Sequence, residues 1–121
     1  MDQRYSDRIP VACSAMISGD GVSGEGRVMD VSLPGCLIES PGVVRVGDYI
    51  RLKLFLPDHR SPIDIPLAVV RRVEGAHIGV EFIRSSSDDQ IRLTYFVKRR
   101  AKLKKTVRWE QGIEMVAVSG E

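Results

Sequence analysis

No stretch of the chain approaches the roughly 20 apolar residues that a bilayer-spanning helix requires. No apolar run follows Met1 either, so neither a membrane segment nor a signal peptide is expected, and the protein reads as cytoplasmic. Cysteine is scarce. Cys13 and Cys36 cannot make a disulfide framework, and both fall in apolar, strand-like surroundings that suit reduced, buried thiols. Histidine is scarcer in useful contexts. His59 and His77 have no Cys, His or carboxylate neighbours at metal-ligand spacing, which argues against a metal site. No Walker-type glycine loop is present. The cluster Ser85-Ser86-Ser87 is better explained as a loop and helix cap than as a nucleophile. No catalytic residue, enzyme activity or cofactor is therefore expected. A net charge of +2 selects no class of partner by itself.

What is present is an ordinary globular composition, 43% hydrophobic and 28% charged over 121 residues, sufficient for one domain with a modest core. Residues 1–9 are polar and lack apolar periodicity, so they read as a flexible N-terminal arm, with Pro10 opening the ordered part. Alternation of Val11, Cys13, Ala15 and Ile17 predicts a half-buried strand, followed by a hairpin loop over Gly19–Gly24. A second strand is expected from Gly26 to Leu33, with Met29, Val31 and Leu33 inward and Asp30 and Ser32 outward. Pro34-Gly35 bends the chain before a third strand over Cys36–Glu39. Ile50, Leu52, Leu54 and Leu56 against Arg51 and Lys53 give a fourth; Ile65, Leu67 and Val69, running on to Val73, a fifth; Ile78, Val80 and Phe82 a sixth. Six short strands, with turn signals at intervals of about 8–12 residues, predict a small antiparallel β-barrel, mainly β in class.

The period then changes. Ser87 as N-cap with Gln90 three residues on forms a capping box, and Leu93, Phe96, Val97 and Ala101 make an apolar stripe. A C-terminal helix packed on the barrel is predicted from Asp88 to Lys104, acidic in its first turn and basic in its last. The domain thus runs over residues 10–105, and 106–121, with Trp109, is a tail that reads as a short strand or a second docking segment. Seven of the eleven residues from Lys98 to Arg108 are basic. Such a run can neutralise nucleic-acid phosphates. It lacks the aromatic interleaving that suits base stacking, and the solvated face of a helix carries charge of this kind. Nucleic acid is not the expected partner.

Two further motifs remain, Arg4-Tyr5-Ser6-Asp7-Arg8 and Asp30-Val31-Ser32-Leu33-Pro34-Gly35, separated by 21 residues. Taken singly, the arginines are exposed groups on a frayed end, and Asp30 and Ser32 are partners for the backbone of the Pro34-Gly35 bend. Taken together they suit a ligand that is both guanine and phosphate. The arginine fork matches phosphate oxygens or guanine O6 and N7. A carboxylate accepts from guanine's opposite edge, a serine adds a hydroxyl, and glycine permits close approach.

Arg4-x-x-x-Arg8 followed by Asp30-x-Ser32-x-x-Gly35 resembles the signature of the PilZ domain family, the bacterial receptors for cyclic di-GMP. Val46-Gly47-Asp48, the strand ending in Leu56-Pro57, Val69-Val70-Arg71-Arg72-Val73, Ile78-Gly79-Val80-Glu81-Phe82 and Leu93-x-Tyr95-Phe96-Val97 are also similar to it, so the likeness covers about residues 4–100. The resemblance implies a six-stranded barrel with a flanking helix and cyclic di-GMP on the outer wall. Arg4 and Arg8 would wrap the dinucleotide, Asp30 and Ser32 would hold a guanine, and Gly35 would permit contact. Gln3 stands where many members carry an extra arginine or a bulky residue, a neighbourhood that influences whether one ligand or an intercalated pair binds. The expected activity is that of a receptor whose arm orders on ligand and which signals through a protein partner. The alternatives are a docking adaptor that binds no nucleotide and, less favoured, a small nucleic-acid-binding barrel.

Overall fold

The computed structural model describes residues 8–19, 22–40, 42–58 and 60–113. Arg4, the rest of the expected arm up to Asp7, His59 and the end of the tail from 114 lie outside the described residues. Six strands, β1 (Ile9–Gly19), β2 (Val22–Val31), β3 (Gly35–Glu39), β4 (Tyr49–Phe55), β5 (Ile63–Glu74) and β6 (His77–Arg84), precede one helix, α1 (Ser87–Ile113). The strands close in the order β1-β2-β3-β6-β5-β4, every pair antiparallel. Closure leaves no edge strand among the described residues.

The barrel interior follows from alternation. In β4, Ile50, Leu52 and Leu54 are buried while Arg51, Lys53 and Phe55 face out. Ala15, Val28, Ile38, Ile63, Val70 and Ile78 complete the interior from the other strands. Leu93, Phe96, Val97 and Ala101 join the same core, so the expected helical stripe is what seats α1 on the barrel. Pro66 is exposed within β5, in a barrel that offers it no edge. The β4–β5 register shifts between Ile50 and Leu52, pairing them with Ala68 and Ile65, so Pro66 sits at a bulge where no ladder donor is needed.

Several sequence expectations are corrected. The ordered barrel begins at Ile9, which is 2% exposed, rather than at Pro10. Strands β1 and β2 pair as far as Gly19 with Val22, extending into the expected hairpin loop. The helix cap is Ser86, not Ser87. The Ser86 Oγ accepts the Asp89 backbone N–H at 3.1 Å, and its carbonyl accepts the Gln90 N–H at 2.9 Å. Position N3 is therefore Asp89, whose carboxylate accepts the Asp64 N–H of β5 at 3.0 Å and so ties the helix start to the barrel. The helix also continues through 106–113, where a strand or separate segment was expected. No proline or glycine interrupts it before Gly112, so nothing stops propagation. Its last turn carries no basic residue, and the basic run lies mid-helix.

Candidate functional site

Asp30 faces outward at the end of β2, with its side chain 20% exposed. The reason is a bulge. The β2–β3 register shifts between Val28 and Asp30, so Val28 and Val31 both point inward, each fully buried, with two residues between them. Strict alternation would have sent Met29 inward. Instead Met29 is 37% exposed, which corrects the expected inward set. The carboxylate is left without a hydrogen bond among the described residues.

Arg8 immediately precedes β1, beside the pairs Ile9–Val31 and Pro10–Asp30. Its Nη1 lies 3.9 Å from the Asp30 Oδ2. That is an ion pair too long for a hydrogen bond, and the Arg8 side chain stays 64% exposed. Strand pairing thus brings together two charged groups with 21 residues between them in sequence, both with hydrogen-bonding capacity to spare.

Ser32 and Gly35 are placed differently. Strand β2 ends at Val31, and Ser32 is 8% exposed rather than outward beside Asp30. Its Oγ donates to the Gly35 carbonyl at 3.1 Å, and its backbone N–H donates to the same oxygen at 2.8 Å. The bend is closed from its other side by the Phe82 N–H, which donates to the Pro34 carbonyl at 2.8 Å. Gly35 is buried, and a Cβ there would run into the Val80 carbonyl of β6. Its missing side chain is required by strand packing. Of the five expected site residues, then, Arg8 and Asp30 meet at the surface, Ser32 and Gly35 hold the loop, and Arg4 lies outside the described residues.

Beside this surface, Leu33 and Phe82 line a cleft of about 220 Å³ with Gln90, Leu93 and Thr94 of α1. Cys36 is buried, and burial first, with the nearby Asp30 charge second, pushes its thiol well above its ordinary value. Cys13 is half-buried and its thiol is raised by burial too. Among the described residues no three His, Cys, Asp or Glu side chains are grouped to hold a metal, and no helix is long and apolar enough to cross a membrane. Linear spacing does not connect Leu37, Gly79 or Arg72 with Asp30, yet the strand register sets the four in one row across the sheet. The available signal was the doubled Arg71-Arg72 inside an apolar strand, which strict alternation cannot accommodate.

Solved structures share this architecture. The Bacillus subtilis inhibitor of motility (MotI/DgrA) superposes at a TM-score of 0.72 and 21% identity, over 86% of this chain and 54% of that one, so the chain spans about half of that protein. The PilZ domain of YcgR from Escherichia coli, solved with c-di-GMP, gives 0.63 at 13% identity over 88% of this chain and 98% of that one. The PilZ domain of CeSA from a cellulose-synthesizing bacterium gives 0.60 at 16% identity over 75% and 94%. At these identities the likeness establishes the fold. No curated protein sequence matches the chain. The family model described as "PilZ domain" matches residues 2–99, spanning both motifs, all six strands and the first half of the helix, and the chain therefore belongs to the PilZ domain family of cyclic di-GMP receptors.

Proposed function

We propose that this chain binds cyclic di-GMP on the outer wall of the barrel and passes the signal to a protein partner. One observation carries the reading: the Arg8 guanidinium stands 3.9 Å from the Asp30 carboxylate, across the β1–β2 pair, with both groups still able to bond a ligand. A guanine edge presents donors to a carboxylate, while its other edge and the phosphates present acceptors to an arginine fork. Arg8 and Asp30 supply those two chemistries side by side. Arg4 enters through the Arg-x-x-x-Arg motif as a second grip on the same dianion. Ser32 and Gly35 set the loop that aims Asp30, and the Ser32 hydroxyl keeps acceptor capacity towards a ligand.

The YcgR domain was solved with c-di-GMP on this fold, and the MotI/DgrA protein is an inhibitor of motility, which supports a ligand-binding module with a protein output. On this reading the chain is a non-enzymatic receptor in the cytoplasm, where free thiols such as Cys36 remain reduced. Isothermal titration of the purified chain with cyclic di-GMP tests it. Saturable binding is expected, and Arg8→Ala should weaken it by about 1.5–3 kcal/mol, on the order of 10- to 100-fold, the value of hydrogen bonds to a charged group. No heat in the wild type at tens of micromolar, or equal affinity in Arg8→Ala, contradicts it.

A further inference from the structure

A row of outward positions leads away from Asp30 along the barrel wall. Asp30 pairs with Leu37, Leu37 with Gly79, and Gly79 with Arg72. Directly paired residues share a sheet face. The neighbours Val31, Cys36, Val80 and Val70 are buried, so the row lies outside. With strands about 4.8 Å apart, three steps place Arg72 about 14 Å from Asp30, measured along the wall. Strand tilt carries the row obliquely up the barrel, not straight around it.

Two features of the row are not required by the fold. Gly79 has no left-handed φ, and a Cβ there would meet nothing closer than the Arg72 Cβ at 3.6 Å, an ordinary contact. Gly35, by contrast, is forced by packing. A strand glycine with neither cause marks a bulge or a place where another group comes close to the backbone, and Gly79 faces the bulge of β5. The second feature is Arg72 itself. Alternation would turn one of Arg71 and Arg72 into the barrel, but the register shifts between Val70 and Arg72 and both are exposed. Arg71 is occupied, its Nε donating to the Glu81 Oε1 at 2.7 Å. The Arg72 side chain makes no hydrogen bond or ion pair among the described residues. Bulges re-aim side chains beside binding sites, and here they fall at both ends of the row, between Val28 and Asp30 and between Val70 and Arg72.

We propose that Arg72 is a second anchor for the dinucleotide, gripping the phosphate or guanine acceptor edge remote from Arg8 and Asp30 while the ligand lies across Leu37 and Gly79. A cyclic dinucleotide has two phosphates and two guanines, and the Arg8–Asp30 end serves one half of it. The far half needs a cation at a distance along the wall, and Arg72, whose guanidinium is unpaired among the described residues, can be that cation. The inference rests on the reading that the chain binds cyclic di-GMP.

Isothermal titration with cyclic di-GMP, run on the full chain and paired with thermal melts, separates the two claims. Arg72→Ala is expected to lose affinity at least about tenfold, the scale of one charge-assisted hydrogen bond, with an unchanged melting temperature. Arg72→Lys should recover part of the loss, because the charge returns without the fork. Arg71→Ala, which removes only an exposed ion pair, should change affinity by roughly threefold or less. Gly79→Leu should fold and bind weakly. If Arg8→Ala loses binding while Arg72→Ala and Gly79→Leu bind as wild type, the second anchor is overturned and the receptor reading stands. If the wild type does not bind at all, both fall.

Discussion

Asp30 keeps its carboxylate at the outer wall, while Ser32, two positions on, is turned into the loop it closes. The difference has consequences under substitution. Ser32→Ala removes a hydrogen bond to the Gly35 carbonyl and should cost about 1 kcal/mol of stability in a denaturant titration. Asp30→Ala removes no hydrogen bond among the described residues and should leave stability close to wild type. Gly35→Ala drives a methyl group into the Val80 carbonyl and should cost about 1–3 kcal/mol, the range for overpacking. A Gly35 variant that lost ligand while keeping its full stability would contradict the packing role. Cys36 adds a pH dependence. Burial raises its thiol above the ordinary 9.0, so the folded state holds the proton more tightly than the unfolded chain does. The contribution is complete below that ordinary value and declines as pH rises past it towards the folded value. Melts of wild type and Cys36→Ser above pH 9.0 should converge as pH increases. The motif residues were legible in the sequence by type and spacing. Their facing was not, because one extra residue at Met29 resets the alternation and no residue of the stretch announces a bulge.

Elements meet through a few polar contacts as well as through the core. Arg92 of α1 is the busiest. Its Nη1 donates to the Ser61 carbonyl at 2.7 Å, its Nη2 lies 3.3 Å from an Asp58 oxygen, and it pairs with Asp89 at 3.8 Å. It holds the loop between β4 and β5 onto the helix. Its side chain is 17% exposed, so removing it leaves two poorly solvated carboxylates. Arg92→Ala should cost about 2 kcal/mol or more by chemical denaturation, whereas Arg51→Ala, which breaks the exposed pair to Asp64, should leave stability close to wild type. Equal losses in the two variants would refute this ranking. The existence and order of all six strands and of α1 could be read from periodicity. Boundaries could not. Three consecutive serines allow the cap to sit at Ser86 or Ser87, and only contact with Asp64 shows which carboxylate the barrel recruits. The helix end was not legible, because the composition changes after Lys105 while nothing there stops a helix.

At the scale of the whole molecule, the closed barrel is a wall that holds Arg8 and Asp30 together on its outer side. Its interior is filled by side chains such as Leu52, Leu54 and Ile63, each at 0% exposure, so the proposed site lies on the outside. Leu54→Ala should cost about 2–5 kcal/mol. A ligand specific for the folded state stabilises it by mass action, about 2.7 kcal/mol at one hundred times its Kd. Cyclic di-GMP should therefore raise the melting temperature of the wild type and not that of Arg8→Ala. The central claim is spatial, that the dinucleotide lies on the wall formed by β1, β2, β3 and β6 with Arg8 and Asp30 at its edge. Titrating the isotopically labelled chain with cyclic di-GMP while following backbone amide shifts tests it most directly. The account predicts the largest shifts at Arg8, Asp30, Leu37 and Gly79, with Ile50, Leu52 and Leu54 of β4 nearly unmoved. Shifts concentrated on β4, or none at saturating ligand, would contradict it.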